Sequence, residues 1–130
     1  MLSAKDILKS ADTPEVKRVE LPELSDHVYV RVISGAERDK WEVQAERLLK
    51  SPEINVRASL CLLTMCNEKG ERLFKDDQLV DLGKVSAIVL ERVFQASREI
   101  NRLRDDDIEE LEKNFEAAAR GDSGSSLQAI

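Results

Sequence analysis

The stretch of residues 28–41, which reads VYVRVISGAERDKW, constrains the fold more than any other part of the chain. Its hydrophobic period is two over residues 28–33, which predicts a half-buried β-strand. The period then changes to about 3.6, which predicts an α-helix that holds Trp41 two turns inside. Between the two periods, Ser34 and Glu37 are spaced for a capping box, in which each side chain bonds the backbone amide of the other residue. The sequence therefore predicts a strand that leads directly into a helix.

An N-terminal β-hairpin follows from the residues before this junction. Residues 16–21 read as a strand, and residues 22–26 form a connection of hairpin length to the strand at 28–33. A hairpin alone is marginal in water, so its apolar face must pack on helices or on another subunit. A short helix over residues 3–10, with Ile7 and Leu8 as its apolar contacts, precedes the hairpin and ends before Pro14.

The rest of the sequence predicts a mainly α fold, with four longer helices and one or two short ones. The first long helix runs from Ser34 to about Lys50, and the second, over residues 53–66, has no polar face and is predicted to be central and buried. A short helix follows at 76–82. The third long helix spans 85–103, and the fourth begins near Asp105. The predicted inward positions are Trp41, Ala45, Leu48 and Leu49 in the first, Val85, Ile88, Val89, Val93, Ala96, Ile100 and Leu103 in the third, and Ile108, Leu111, Phe115 and Ala118 in the fourth.

The composition predicts how the chain is divided into domains and where its net charge lies. Residues 1–120 are predicted to form one helical domain, and the polar residues 121–130 a flexible tail that is disordered in isolation. Residues 105–122 hold eight acids and two bases, so this segment alone carries the net charge of −6. Residues 84–104 hold five bases and two acids. Either the two helices are antiparallel neighbours with complementary fields, or the surface is polarised for a partner.

No group of residues in the sequence predicts catalysis, a cofactor or a metal. Cys61 and Cys66 point apart on a helix and predict buried small side chains. His27 lacks the further partners that a general base needs, and the acids from Asp105 continue into a helix rather than an EF-hand loop. The glycines are scattered, so no phosphate-binding loop is predicted. No apolar run is long enough for a membrane span and the N-terminus lacks a signal-peptide core, so we expect a soluble intracellular protein.

With no catalytic, cofactor or metal site predicted, two classes of binding protein are the candidates. A DNA-binding protein would use Arg92, Arg98, Arg102 and Arg104, but Glu91 and Glu99 are interleaved with these bases and the chain lacks an overall basic footprint. A protein-binding module would use amphipathic helices and the open edge of the hairpin.

The chain resembles the tail assembly chaperones of long-tailed bacteriophages of the siphophage and prophage type. The resemblance covers nearly the whole chain and lies in the order of its segments more than in any one motif. These segments are SAKDIL at residues 3–8, the strand at 16–21, VYVRVISGAERDKWE at 28–42, LCLLTMC with NEKG and then LF at 60–74, the apolar positions at 93–103 and 108–111, NFEAA at 114–118 and the polar end. Phe115 stands where family members often have serine.

The resemblance implies a non-catalytic assembly factor that binds the tape measure protein and recruits the major tail protein before the tube polymerises. It also implies self-association into homo-oligomers, residence in the host cytoplasm and absence from the mature virion. Nucleic acid and membrane binding are not expected, and a small phage-encoded DNA-binding regulator is the alternative. We nominate the hairpin edge and the exposed remainder of the Trp41 helix as contact surfaces, although both regions could instead simply pack within one domain. The nominated residues are Val28, Val30, Val32, Glu37, Arg38 and Trp41.

Overall fold

A three-stranded antiparallel sheet packed against helices forms the centre of the computed structural model, which describes residues 1–48 and 56–103 except the side chains of 46–48. The elements in chain order are α1 (Ala4–Lys9), β1 (Val16–Leu21), β2 (Asp26–Arg31), α2 (Gly35–Leu48), α3 (Val56–Thr64), β3 (Met65–Cys66), α4 (Leu79–Gly83) and α5 (Ala87–Asn101). The strand order in the sheet is β1-β2-β3.

The predicted hairpin is present. β1 pairs antiparallel with β2 from Val16 opposite Arg31 to Leu21 opposite Asp26. Its connection is a 3₁₀ turn over Pro22–Leu24, followed by Ser25 in the left-handed region at φ 54°. The connection is residues 22–25, one residue shorter than predicted, and β2 covers Asp26–Arg31 instead of the predicted 28–33.

The sheet has a third strand that the sequence did not predict. A single helix was predicted over residues 53–66, but α3 ends at Thr64, and Met65 and Cys66 pair with Val30 and Tyr29 of β2. The carbonyl of Met65 also accepts the amide of Leu73 at 3.0 Å. The apolar run LCLLTMC suits a buried helix and a buried strand equally well, so its periodicity could not separate the two.

The core lies between the sheet, α3 and α5, and α2 adds Trp41 to it. Its least exposed apolar side chains are Val30, Trp41, Ala45, Ala58, Leu60, Cys61, Cys66, Leu82 and Val93. The predicted inward stripe of α5 is correct from Val89 onward but wrong at Val85 and Ile88, the latter 61% exposed. Ile7 and Leu8 of α1, predicted as apolar contacts, are also exposed. Short-range periodicity gives the inward direction of a helix but not how far along the helix the neighbouring elements extend.

The predicted count of four longer helices is not confirmed. The described residues contain three helices of at least nine residues, namely α2, α3 and α5. The predicted helix from Asp105 and the tail at 121–130 lie outside the described residues. The boundary of the single domain at residue 120 stays a prediction.

Replacing Gly70 with alanine is expected to lower the free energy of unfolding by about 2 kcal/mol. Gly70 has φ 84°, and an added Cβ would lie 2.6 Å from Cγ of Pro14. Gly35→Ala is the matched control, because a Cβ there meets nothing within 4 Å. It should leave stability unchanged or raise it by up to about 1 kcal/mol, since alanine favours helix. Urea unfolding measures both changes, and equal midpoints for the two variants would contradict the expectation.

Candidate partner-binding surface

The junction between β2 and α2 is held by the predicted capping box. The Ser34 amide donates to Oε1 of Glu37 at 3.0 Å, and the Glu37 amide donates to the Ser34 hydroxyl at 3.1 Å. The same carboxylate receives Arg31 Nη1 at 3.1 Å and Nη2 at 2.5 Å. Arg31 Nε also donates to the carbonyl of Leu63 at 2.9 Å. One buried arginine therefore joins the sheet, α2 and α3.

Two opposing influences act on the pKa of Glu37. Burial raises it, whereas hydrogen bonds from Arg31 and from the Ser34 amide, together with the positive charge of Arg31, lower it. The hydrogen bonds and the charge prevail, so the pKa of Glu37 lies below its usual value and the ion pair stays charged at neutral pH.

Asn101, the last residue of α5, forms hydrogen bonds with the backbone of the same junction. Its Oδ1 accepts the Ile33 amide at 2.8 Å, and its Nδ2 donates to the carbonyls of Arg31 at 3.2 Å and Ser97 at 2.9 Å. No local pattern predicts this role, because a polar residue at the end of an amphipathic helix ordinarily faces solvent. Its partners Ile33 and Arg31 lie 68 and 70 positions earlier in the chain.

Trp41 anchors α2 on α3. Its side chain is 1% exposed, and its indole N–H donates to the Ser59 hydroxyl at 2.9 Å. That hydroxyl donates in turn to the Val56 carbonyl at 2.6 Å. The bond satisfies the indole N–H, which is the polar group that a buried tryptophan must pair.

The nominated contact residues are mostly internal. Val28, Val30 and Trp41 lie in the core, and Val32 and Glu37 are half-buried. Arg38 is half-buried and forms an ion pair with Glu42 at 3.3 Å. A partner reaches the side chains of Val28, Val30 and Trp41 only if the core opens. Their role in binding stays a prediction.

An accessible concavity lies elsewhere, between β1 and α5. It is an open groove of about 950 Å³, lined by residues 17–20 of β1, by Arg57 of α3 and by one face of α5 from Ala87 to Glu99. Val19, Leu90 and Ala96 contribute its apolar floor, and Ile88 stands exposed at one side. Residues 17–20 belong to the hairpin, but none of the six nominated residues lines this groove. The α5 wall was missed because Ile88 was assigned to the core.

Ion pairs line the rim of this groove. Lys17 Nζ lies 2.7 Å from Glu99, Arg57 Nε lies 2.8 Å from Glu91, and Arg92 bonds Glu23 in the turn after β1. The hydrogen bond from Lys17 and its positive charge hold the pKa of Glu99 below its usual value. The Arg57 guanidinium also lies 5.6 Å from the centre of the Phe94 ring. These contacts tie α5 to the turn after β1, to β1 itself and to α3, so both walls of the groove are held in place.

The chemically reactive side chains are in inert settings. His27 Nδ1 lies 3.1 Å from Asp26 on the exposed hairpin, and its ring packs edge-on against Tyr29. Cys61 and Cys66 are buried and unpaired, as predicted. Burial, with a smaller contribution from Glu91, raises the pKa of Cys61 to about 12, so this thiol stays protonated. Over residues 1–48 and 56–103, no cluster of histidine, cysteine or acidic side chains has the geometry of a metal site.

Comparison with known proteins identifies a related fold. The sequence matches no protein-family profile and no curated protein. Its structure is similar to that of the bacteriophage HK97 tail assembly chaperone, with a TM-score of 0.50 and 19% sequence identity over 79% of this chain and 97% of that one. This chain has a phage tail-chaperone-like fold. None of its described helices has the length and apolar character that a membrane span requires.

Proposed function

We propose that this chain is a non-catalytic chaperone of phage tail morphogenesis, which binds the tape measure protein and recruits the major tail protein before the tube polymerises. The observation that carries the proposal is the structural likeness to the HK97 tail assembly chaperone, because it extends over 97% of that chain. The order of the sequence segments supports the same family. The proposed location is the host cytoplasm, with the protein absent from the mature virion.

The proposed mechanism is transient shielding of apolar surface. The tape measure protein, while its apolar residues are exposed, must be kept from aggregating until tube subunits replace the chaperone. The groove between β1 and α5 offers an apolar floor that a partner segment can cover. Modest affinity at each groove, multiplied over several chaperone copies in a homo-oligomer, holds the partner and still permits its displacement. The six nominated residues act, in this proposal, by holding the shape that presents the groove.

Co-expression with the tape measure protein of the same phage or prophage tests the proposal. We expect the soluble fraction of the tape measure protein to rise several-fold, and the two proteins to co-purify. An unrelated acidic helical protein of similar size is the control for a general expression effect. No gain in soluble tape measure protein, or a gene position away from tail genes, would count against chaperoning.

The alternative of a DNA-binding regulator receives no specific support from the described residues. Arg92, one of the bases that DNA binding would use, is already bonded to Glu23. Salt-dependent retention of the purified chain on DNA would favour this alternative.

A further inference from the structure

β1 is an edge strand, and the direction of its backbone groups can be derived residue by residue. The Val32 amide donates to the Glu15 carbonyl at 2.9 Å, so the backbone groups of Glu15 point toward β2. In an antiparallel ladder this direction alternates along the strand. The register opposes Lys17 to Val30 and Val19 to Val28, so these backbone groups also point toward β2. The amides and carbonyls of the intervening residues therefore point away from the sheet; they are Val16, Arg18 and Glu20.

These outward groups have no hydrogen-bond partner within the described residues. The same alternation explains the other side of the sheet, where the Met65 carbonyl points away from β2 and accepts the Leu73 amide. β1 has no such neighbour among residues 1–48 and 56–103. Its outer edge offers donors and acceptors at every second residue, which is the spacing that another extended strand matches.

The groove lies along this same edge. Residues 17–20 line it consecutively, so it runs beside the backbone of β1 as well as beside one row of its side chains. A strand added next to β1 would place alternate side chains against α5, where Ile88 and Ala87 are exposed and Leu90 forms part of the floor. This face of α5 and the open edge of β1 are thus two walls of one site.

The charges around the groove limit what can enter it. Each of its four bases already has a carboxylate partner; the pairs are Lys17–Glu99, Arg18–Glu20, Arg57–Glu91 and Arg92–Glu23. No lining base in this set is left to attract an acidic ligand, so the side chains that enter the groove should be uncharged. Charged residues on an edge strand also oppose indiscriminate sheet pairing. The site therefore selects an extended segment whose alternate side chains are apolar.

We propose that the outer edge of β1 binds an extended segment of a partner protein as a fourth strand, with uncharged apolar side chains at the alternate positions that face α5. The inference rests on the proposed function only for which protein supplies the segment. Backbone hydrogen bonds to Val16, Arg18 and Glu20 hold the segment, and the groove selects its side chains.

Arg18→Pro, compared with Arg18→Ala, tests the backbone contact. Proline removes the outward amide without breaking a bond to β2, and edge strands tolerate proline. Alanine removes the same side chain and keeps the amide. With the co-purified tape measure protein as the probe, we expect Arg18→Pro to weaken binding about tenfold or more and Arg18→Ala to retain it. Equal binding by the two variants would overturn strand addition and leave the chaperone proposal standing.

Amide hydrogen exchange distinguishes a strand from a docked helix and shows whether Arg18→Pro is folded. On binding, exchange should slow at Val16, Arg18 and Glu20, while Lys17 and Val19, already bonded to β2, change little. Slowed exchange in α5 alone would indicate a helix in the groove and would overturn the proposal. If the free chain sediments as a dimer that Arg18→Pro dissociates, the occupant is a second copy, and the partner assignment is wrong.

A short capped peptide of alternating valine and threonine tests the site if the tape measure protein itself does not bind. The same peptide, N-methylated at every residue, is the control because it has no amide left to donate to β1. Binding of the first peptide alone, lost in Arg18→Pro, would support strand addition even if the proposed function fails. Absence of binding by both peptides, after failure with the tape measure protein, would overturn the inference.

Discussion

Trp41→Ala is expected to lower the free energy of unfolding by about 3–5 kcal/mol, which is a large share of the stability of a small domain. The change empties the largest fully buried side-chain volume in the described core and removes the indole bond to Ser59. Since α2 is joined to α3 at this point, the loss should detach α2 before the rest of the fold. Urea unfolding followed by far-UV circular dichroism measures the change, because the substitution removes the only tryptophan.

Trp41→Phe is the matched control. It keeps much of the apolar volume and loses only the indole N–H and part of the ring, so the expected loss is smaller, about 1–3 kcal/mol. Ser59 retains its bond to the Val56 carbonyl in both variants. An alanine variant as stable as the phenylalanine variant would show that the packing around Trp41 is not what holds α2.

Glu37→Ala is expected to lower the free energy of unfolding by about 3 kcal/mol at neutral pH. The side chain of Arg31 is 10% exposed, and without the carboxylate the Leu63 carbonyl is the one hydrogen-bond acceptor left to it among the described residues. The Ser34 amide loses its acceptor as well. Glu42→Ala is the control on the same helix, because it removes only the more exposed ion pair with Arg38 and should leave stability nearly unchanged.

The pH dependence of this effect has a definite sign. The pKa of Glu37 is lower in the folded chain than its ordinary value of 4.5. Its contribution to stability is therefore complete above pH 4.5 and is lost as the pH falls through the folded pKa. The difference in stability between wild type and Glu37→Ala should narrow below pH 4.5. Urea midpoints at neutral and acidic pH measure it, and a constant difference would show that the Arg31–Glu37 charge pair does not contribute.

Local chemistry made several features predictable. The capping box of Ser34 and Glu37 needs only a four-residue pattern, and it was confirmed atom for atom. The hairpin follows from two short apolar segments and a turn. The inward face of α5 from Val89 onward follows from helical periodicity. Each of these signals lies within a single helix, hairpin or cap.

None of the six nominated contact residues lines the candidate groove. The hairpin edge was nominated, but the residues chosen, such as Val28 and Val30, lie on the central strand β2 and face the core. An alternating strand shows which side chains share a face, but not which edge remains open. The wall formed by α5 lies about 70 residues further along the chain from β1, as the Glu23–Arg92 ion pair illustrates. No pattern of neighbouring residues predicts that α5 packs beside β1.

The sequence by itself determined the strand-to-helix junction at residues 28–41, since the change of period and the cap both act within one or two turns of chain. Tertiary structure alone decided three other features: the pairing of Met65 and Cys66 with β2, the bonds from Asn101 to Ile33 and Arg31, and the groove between β1 and α5. The physical reason is the range of the interaction. Helix capping and hydrophobic periodicity depend on residues that are close in sequence. Strand pairing and burial depend instead on segments that meet only after the chain has folded.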